Sequence, residues 1–87
     1  MFIVPEAARI RLVEKLVKKR AGDNVAMRFV RQRRKWSLRP DTPLSNDVAF
    51  AHEGRTVLVL DPQVAQRLAD RTLDAQETPA GARLRLR

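Results

Sequence analysis

The stretch from Glu53 to Pro62, E-G-R-T-V-L-V-L-D-P, decides the fold of this chain. Gly54 is typical of a turn, and the β-branched and aliphatic run from Thr56 to Leu60 predicts a strand that is buried on both faces. Asp61 offers a side-chain oxygen that can cap a helix, and Pro62 suits the first helical position, where no amide hydrogen is needed. We therefore expect a central strand that passes directly into a helix.

The N-terminal part of the chain predicts a short strand followed by an amphipathic helix. Phe2 to Val4 is apolar, Pro5 can open a helix, and Ala7 to Arg20 follows helical spacing. One arc of this helix is apolar and is expected to face the core: Ala8, Ile10, Leu12, Val13, Leu16 and Val17. Arg9 projects from within that arc, so we expect it to reach the helix edge or to pair with an acid.

The middle of the chain predicts strands and loops. Val25 to Val30 alternates and indicates a half-buried strand, and Trp36 to Arg39 alternates in the same way. Pro40 to Asn46 holds two prolines and predicts a loop. Asp47 to Phe50 is expected to be a short strand.

The C-terminal part predicts a helix and a closing hairpin. The helix runs from Pro62 to about Asp70, and the hairpin pairs Thr72 to Ala75 with Ala82 to Leu86, with its leucines on one side and its arginines on the other. This order of elements predicts a single α+β domain over residues 1–87. We expect a small mixed β-sheet or sandwich with two helices packed on one side.

Composition limits the possible functions. Eighty-seven residues make one domain, and 44% hydrophobic residues is typical of a globular protein. No apolar run approaches the roughly 18 residues that span a bilayer, and no signal-peptide pattern is present, so we expect a cytoplasmic protein without a membrane partner. The chain has no cysteine, which excludes disulfides, thiolate catalysis and thiolate metal sites.

The net charge of +8 is unevenly distributed. Residues 1–39 hold twelve Lys and Arg against three acids, residues 40–80 hold three against seven, and residues 81–87 add three arginines. A basic surface of this kind accelerates association with polyanions and with acidic proteins.

Six cations lie within twelve residues that contain no acid: Arg28, Arg31, Arg33, Arg34, Lys35 and Arg39. Trp36 lies among them, so the cations could contact phosphates while an exposed indole stacks on a base. No RNP motif or glycine-containing KH loop supports that interpretation. The other interpretation is a solvated hairpin tip, with Trp36 in the core by its alternation with Leu38.

Catalytic and metal sites have little support in the sequence. His52 lies near Glu53 and Asp47, but one histidine without cysteines is poor zinc or iron chemistry, so we expect no metal and no cofactor. Ser37 and Ser45 have no evident base partner, and the three glycines are isolated. We therefore expect a protein that is not an enzyme.

Several segments resemble the HesB-like, or A-type, iron–sulfur carrier family. They are Val4 to Ala8, Val25 to Val30, Asp47 to Phe50, Gly54 to Pro62 and Leu73-Asp74. The resemblance covers nearly the whole chain, and it implies a small sandwich-like α+β fold that often forms dimers or tetramers.

The chain departs from this family at the cysteine ligands. The family has its first ligand in a Cys-Ser-Gly turn between the second and third strands, where this chain has Arg31 to Lys35. Its other two ligands form a Cys-Gly-Cys tail after the last strand, whereas this sequence stops at Arg87. No family ligand can be transferred to a residue here, so we do not expect cluster transfer by the usual mechanism.

These observations predict a non-enzymatic HesB-like domain that acts as a binding or adaptor module. The resemblance implies a setting in iron–sulfur cluster assembly, with cluster-assembly proteins as partners and a homodimer as one oligomeric state. The predicted contact surface for an acidic protein partner consists of Arg31, Arg33, Arg34 and Lys35, flanked by Arg28 and Arg39. The alternative is a nucleic-acid-binding protein that uses the basic hairpin over residues 28–39. Exposure of Trp36 would favour nucleic acid, and its burial would favour the adaptor.

Overall fold

Two helices and six strands make up the computed structural model, which describes all residues from Met1 to Arg87. In chain order they are α1 (Glu6–Lys18), β1 (Ala26–Gln32), β2 (Lys35–Asp41), β3 (Val48–His52), β4 (Arg55–Leu60), α2 (Pro62–Arg67), β5 (Leu73–Thr78) and β6 (Gly81–Leu86). This confirms the predicted α+β class with two helices.

The strands form two sheets. The larger sheet has the order β2-β1-β4-β3, in which β1 and β4 are parallel while the two outer pairs are antiparallel. The second sheet consists of β5 and β6 alone. β4 is central, and Val57 to Leu60 are completely buried, which confirms the prediction of a strand covered on both faces. The pairing also places the C-terminal ends of β1 and β4 at the same edge of the sheet.

Helix α1 lies between the two sheets and contacts both. Ala8, Leu12 and Leu16 repeat every four residues and are completely buried. The predicted apolar arc was too wide, because Ile10 is 45% exposed and Val17 is 63% exposed. The core therefore receives a narrow stripe of α1 rather than a broad face.

Arg9 attaches α1 to β3. Its Nε donates to the carbonyl of Val4 at 2.8 Å, and its Nη1 donates to the carbonyl of Ala51 at 2.7 Å. The guanidinium lies 5.6 Å from the centroid of the Phe50 ring. Arg9 reaches the helix edge as expected, and backbone carbonyls rather than an acid receive its hydrogen bonds.

Strand β1 differs from the prediction of a half-buried strand. All four residues from Ala26 to Phe29 are buried, on both faces of the sheet. β1 lies between β2 and β4, and the segment between β2 and β3 covers the Arg28 side chain through Thr42 and Asp47. Arg28 is consequently buried with a relative exposure of 7%.

The two ends of the chain meet at one segment. Phe2 to Val4 is not a full strand, since only Ile3 pairs, through a parallel bridge to Thr72. The N–H of Ile3 donates to the carbonyl of Arg71 at 3.0 Å. Thr72 also exchanges backbone hydrogen bonds of 3.0 and 2.7 Å with Arg87.

The junction after β4 folds as its sequence predicts. Asp61 caps α2, and its Oδ1 accepts a hydrogen bond from the N–H of Val64 at 2.9 Å. The helix ends at Arg67, earlier than predicted, and the chain then buries Leu68.

At the end of β2, Pro40 is part of the strand rather than of the predicted loop. Neither helix is long and apolar enough to cross a membrane.

Candidate functional site: the basic tip of the β1–β2 hairpin

The turn between β1 and β2 consists of two arginines. The register pairs Gln32 with Lys35, which leaves only Arg33 and Arg34 between the strands. Both have positive φ angles, 47° and 71°, as a two-residue turn of type I′ requires. Such turns favour Asn-Gly or Asp-Gly, because other side chains crowd the backbone there and cost roughly 1–2 kcal/mol per residue. The chain thus holds two arginines where Asn-Gly or Asp-Gly would adopt the turn with less conformational strain.

The cations around this turn are free. Arg31, Arg33, Arg34 and Lys35, called the basic tip below, are all exposed. None of the four makes a side-chain hydrogen bond or an ion pair within the chain. Their N–H donors are therefore available to a partner. Arg39 is exposed and unpaired as well, but it lies opposite Arg28 in the register, away from the turn.

Arg28 does not belong to this surface, which corrects the prediction. Its Nε donates to Oδ2 of Asp41 at 2.7 Å, and its two terminal nitrogens donate to the carboxylate of Asp47 at 3.0 and 2.6 Å. A bond of 3.3 Å to the carbonyl of Thr42 completes the set. Every nitrogen of the guanidinium is engaged inside the protein, so Arg28 holds the hairpin to the loop before β3.

The acids at Arg28 have altered proton affinities. The hydrogen bonds from Arg28, followed by one from the N–H of Leu44, hold the pKa of Asp47 below its usual value despite its burial. The N–H of Thr42, and then Arg28, lower the pKa of Asp41. The pKa of Arg28 itself is raised, chiefly by its hydrogen bonds to Asp47. All three groups are charged at neutral pH.

Trp36 lies half-buried at the foot of the basic tip. Its ring meets Phe29 edge-on, with centroids 5.9 Å apart and planes at 87°, so it packs against the core as its alternation with Leu38 suggested. The guanidinium carbon of Arg31 lies 5.2 Å from the centroid of the same ring. This cation–π contact holds Arg31 against the indole.

A cleft opens between the hairpin and α2. Its volume is about 420 Å³. Seven residues line it: Val30, Arg31, Trp36, Asp61, Gln63, Val64 and Arg67. Arg67 and the cleft could not be predicted from the sequence, because they depend on the parallel pairing of β1 with β4, which brings α2 to the hairpin. No local pattern in the sequence signals that pairing.

The residues weighed as metal ligands do not come together. Asp47 binds Arg28, whereas His52 ends β3 and Glu53 lies in the following turn. No group of three His, Asp or Glu side chains is close enough to hold a metal ion.

Comparison with solved structures identifies the architecture. The crystal structure of Escherichia coli SufA, a protein involved in the biosynthesis of iron–sulfur clusters, superimposes with a TM-score of 0.72 over 99% of this chain and 83% of SufA, at 21% sequence identity. The chain has a HesB-like fold. The structure of IscA with its [2Fe–2S] cluster gives a TM-score of 0.62 at 18% identity, over 100% of this chain and 84% of IscA.

The HesB-like fold of this chain is reached by a sequence that is distant from its structural neighbours. Neither a protein-family model nor a curated protein matches the sequence. A fold hosts functions through particular sites, so the likeness establishes the architecture and leaves the activity to be argued from the residues present.

Proposed function

We propose that this protein is a cytoplasmic, non-enzymatic adaptor associated with iron–sulfur cluster assembly. It contacts an acidic protein partner through the basic tip. The fold supports the setting, since SufA is involved in cluster biosynthesis and the IscA structure holds a cluster. The residues support the role, because a chain without cysteine offers no thiolate to a cluster, and the four cations of the basic tip form no hydrogen bond or ion pair within the chain.

One observation carries this proposal, namely the Arg33-Arg34 turn. Both residues adopt the left-handed backbone conformation, and neither side chain has a partner within the chain. Strained backbone that no internal contact compensates is typical of sites that contact a ligand or partner. An arginine pair at such a turn projects two planar donor groups, which suit bidentate pairing with carboxylates.

The test is a native pull-down of the tagged protein at low and high salt, with a nuclease control and mass spectrometry. We expect cluster-assembly proteins that survive nuclease and are retained at high salt in reduced amount, because salt screens exposed charge pairs but weakens contacts to phosphates more steeply. The double variant Arg33→Glu/Arg34→Glu should lose them. The variant Arg83→Glu/Arg85→Glu changes the net charge equally on the second sheet and should retain them.

Two results would contradict the adaptor. Recovery of nucleic acid that nuclease and salt remove would assign the basic tip to phosphate binding instead. Equal losses in both double variants would mean that net charge, and not the tip, retains the partner. Light scattering on the same preparation measures whether the protein is the homodimer that the resemblance implies.

A further inference from the structure

The cleft beside the basic tip combines apolar and cationic walls. Val30, Trp36 and Val64 supply the apolar part, while Arg31 and Arg67 supply two guanidinium groups. A volume of about 420 Å³ lies in the range of ordinary ligand pockets, and it can take one or two side chains of a bound segment. Mixed walls of this type fit a ligand that is both anionic and partly apolar.

Neither arginine of the cleft forms an ion pair with an acidic side chain, and only Arg31 has a contact that positions its guanidinium group. The guanidinium carbon of Arg31 lies over the Trp36 ring, 5.2 Å from its centroid, and this cation–π contact uses none of the N–H donors, which stay available to a carboxylate. Arg67 lies in the last turn of α2 and makes no hydrogen bond or ion pair. Because Arg31 is already positioned, less conformational freedom is lost when it binds.

Asp61 is the only acid that lines the cleft, so the charge of the lining is uneven. Its Oδ1 already accepts the N–H of Val64, so it acts as a helix cap rather than as a partner for either arginine. It repels an anion from its own wall. A carboxylate that enters the cleft is therefore directed toward Arg31 and Arg67.

We propose that this cleft is the anchor site for an acidic segment of the partner protein. A carboxylate of that segment pairs with Arg31 and Arg67, and a neighbouring apolar side chain packs against Trp36. The further acids of the segment meet Arg33, Arg34 and Lys35 outside the cleft. This inference rests on the proposed adaptor function, and it adds the chemistry of the recognised segment.

Trp36 makes the inference directly measurable. It is the only tryptophan, and the chain has no tyrosine, so intrinsic fluorescence reports on this cleft alone. The probe is a tryptophan-free peptide of glutamates around a central leucine, and its matched control has glycine in place of the leucine. We expect the leucine peptide to shift the emission to shorter wavelength in a saturable titration, because it removes water from the indole. The glycine peptide should bind more weakly and shift the emission less.

Two matched substitutions assign the effect to the cleft. Arg67→Gln should raise the Kd of the leucine peptide roughly 3–5-fold, as expected for the loss of one exposed charge pair. Arg83→Gln removes the same charge from β6, outside the cleft, and should leave the Kd unchanged. Circular dichroism checks that both variants are folded.

Three results would overturn the anchor site. They are an emission that does not change, an equal loss of affinity in Arg67→Gln and Arg83→Gln, and a larger shift with a single-stranded oligonucleotide of the same charge. Failure here is distinguishable from failure of the adaptor role. If Arg67→Gln retains the partner in the pull-down while Arg33→Glu/Arg34→Glu loses it, the basic tip binds without the cleft.

Discussion

The base and the tip of the β1–β2 hairpin use the same residue type in opposite ways. At the base, Arg28 is buried and all its nitrogens are bonded, chiefly to two carboxylates. At the tip, Arg33 and Arg34 are exposed, unpaired and in a left-handed backbone conformation. The hydrogen bonds of Arg28 therefore stabilise the base. The left-handed backbone at the tip is destabilising, and no internal contact of Arg33 or Arg34 compensates for it. An arginine-rich segment can thus contain both a structural ion pair and exposed, unpaired cations.

We expect the largest loss of stability when Arg28 at the base of the hairpin is replaced. Arg28→Met leaves the carboxylate of Asp47, whose side chain is 1% exposed, without its charged partner. Removing one member of a buried ion pair typically costs about 3–5 kcal/mol, so the free energy of unfolding in urea should fall by that amount. The double variant Arg28→Met/Asp47→Leu should recover part of the loss. A loss as small as that of Arg39→Met, an exposed arginine opposite in the register, would mean that Arg28 is not a structural residue.

Low pH should also destabilise the base of the hairpin, by less than Arg28→Met does. The folded state lowers the pKa of Asp47 below the ordinary value of 3.8, so this group stabilises the fold above that pH and loses its contribution as pH falls through the folded pKa. Stability in urea should be level near neutral pH and decline below about pH 4. Asp47→Asn should show a shallower decline relative to its own stability at pH 7. Equal slopes for the two proteins would assign the acid sensitivity to other carboxylates.

The second turn of the large sheet sharpens the comparison. Glu53-Gly54 joins β3 to β4 with φ angles of 50° and 80°, which is the same turn geometry with a glycine in the second position. Nothing lies within 4 Å of a Cβ added to Gly54, so the cost of Gly54→Ala is confined to the backbone. We expect a loss of about 1–2 kcal/mol in urea unfolding. No loss would show that this turn tolerates side chains, and the strain argument for Arg33-Arg34 would weaken with it.

The smallest expected effect has the opposite sign. Arg33→Asn/Arg34→Gly gives the tip the residues that its geometry favours, and it should raise the free energy of unfolding by about 1 kcal/mol. The same variant should lose the partner in the pull-down. A variant that is more stable and no longer binds would show the exchange of stability for contact directly. A variant that is less stable would mean that the arginines support the hairpin.

Local signals predicted part of this structure well. The β4–α2 junction follows from a run of aliphatic residues, a cap at Asp61 and Pro62 in sequence, and each of these acts on its immediate neighbours. The burial of Arg28 could not be predicted in this way. Its partners Asp41 and Asp47 lie 13 and 19 residues away, and alternation alone places Arg28 on an open face.

The cleft is even harder to predict from local sequence signals than the burial of Arg28. Its lining comes from β1, β2, the cap residue Asp61 and α2, which meet only because β1 pairs in parallel with β4, the third element after it along the chain. The basic tip itself was predictable as a cluster of charge. Its separation from Arg28, its strained turn and its neighbour Arg67 required the fold.

The meeting of both chain ends at Arg71-Thr72 bears on the speed of folding. The bridge from Ile3 to Thr72 closes a loop that spans most of the chain, and such contacts form slowly because the entropy of closure is lost before they contribute. The β1–β2 hairpin needs only local closure through its two-residue turn. We therefore expect the hairpin with the basic tip to form early, while the contacts that join the two chain ends form last and limit the rate of folding.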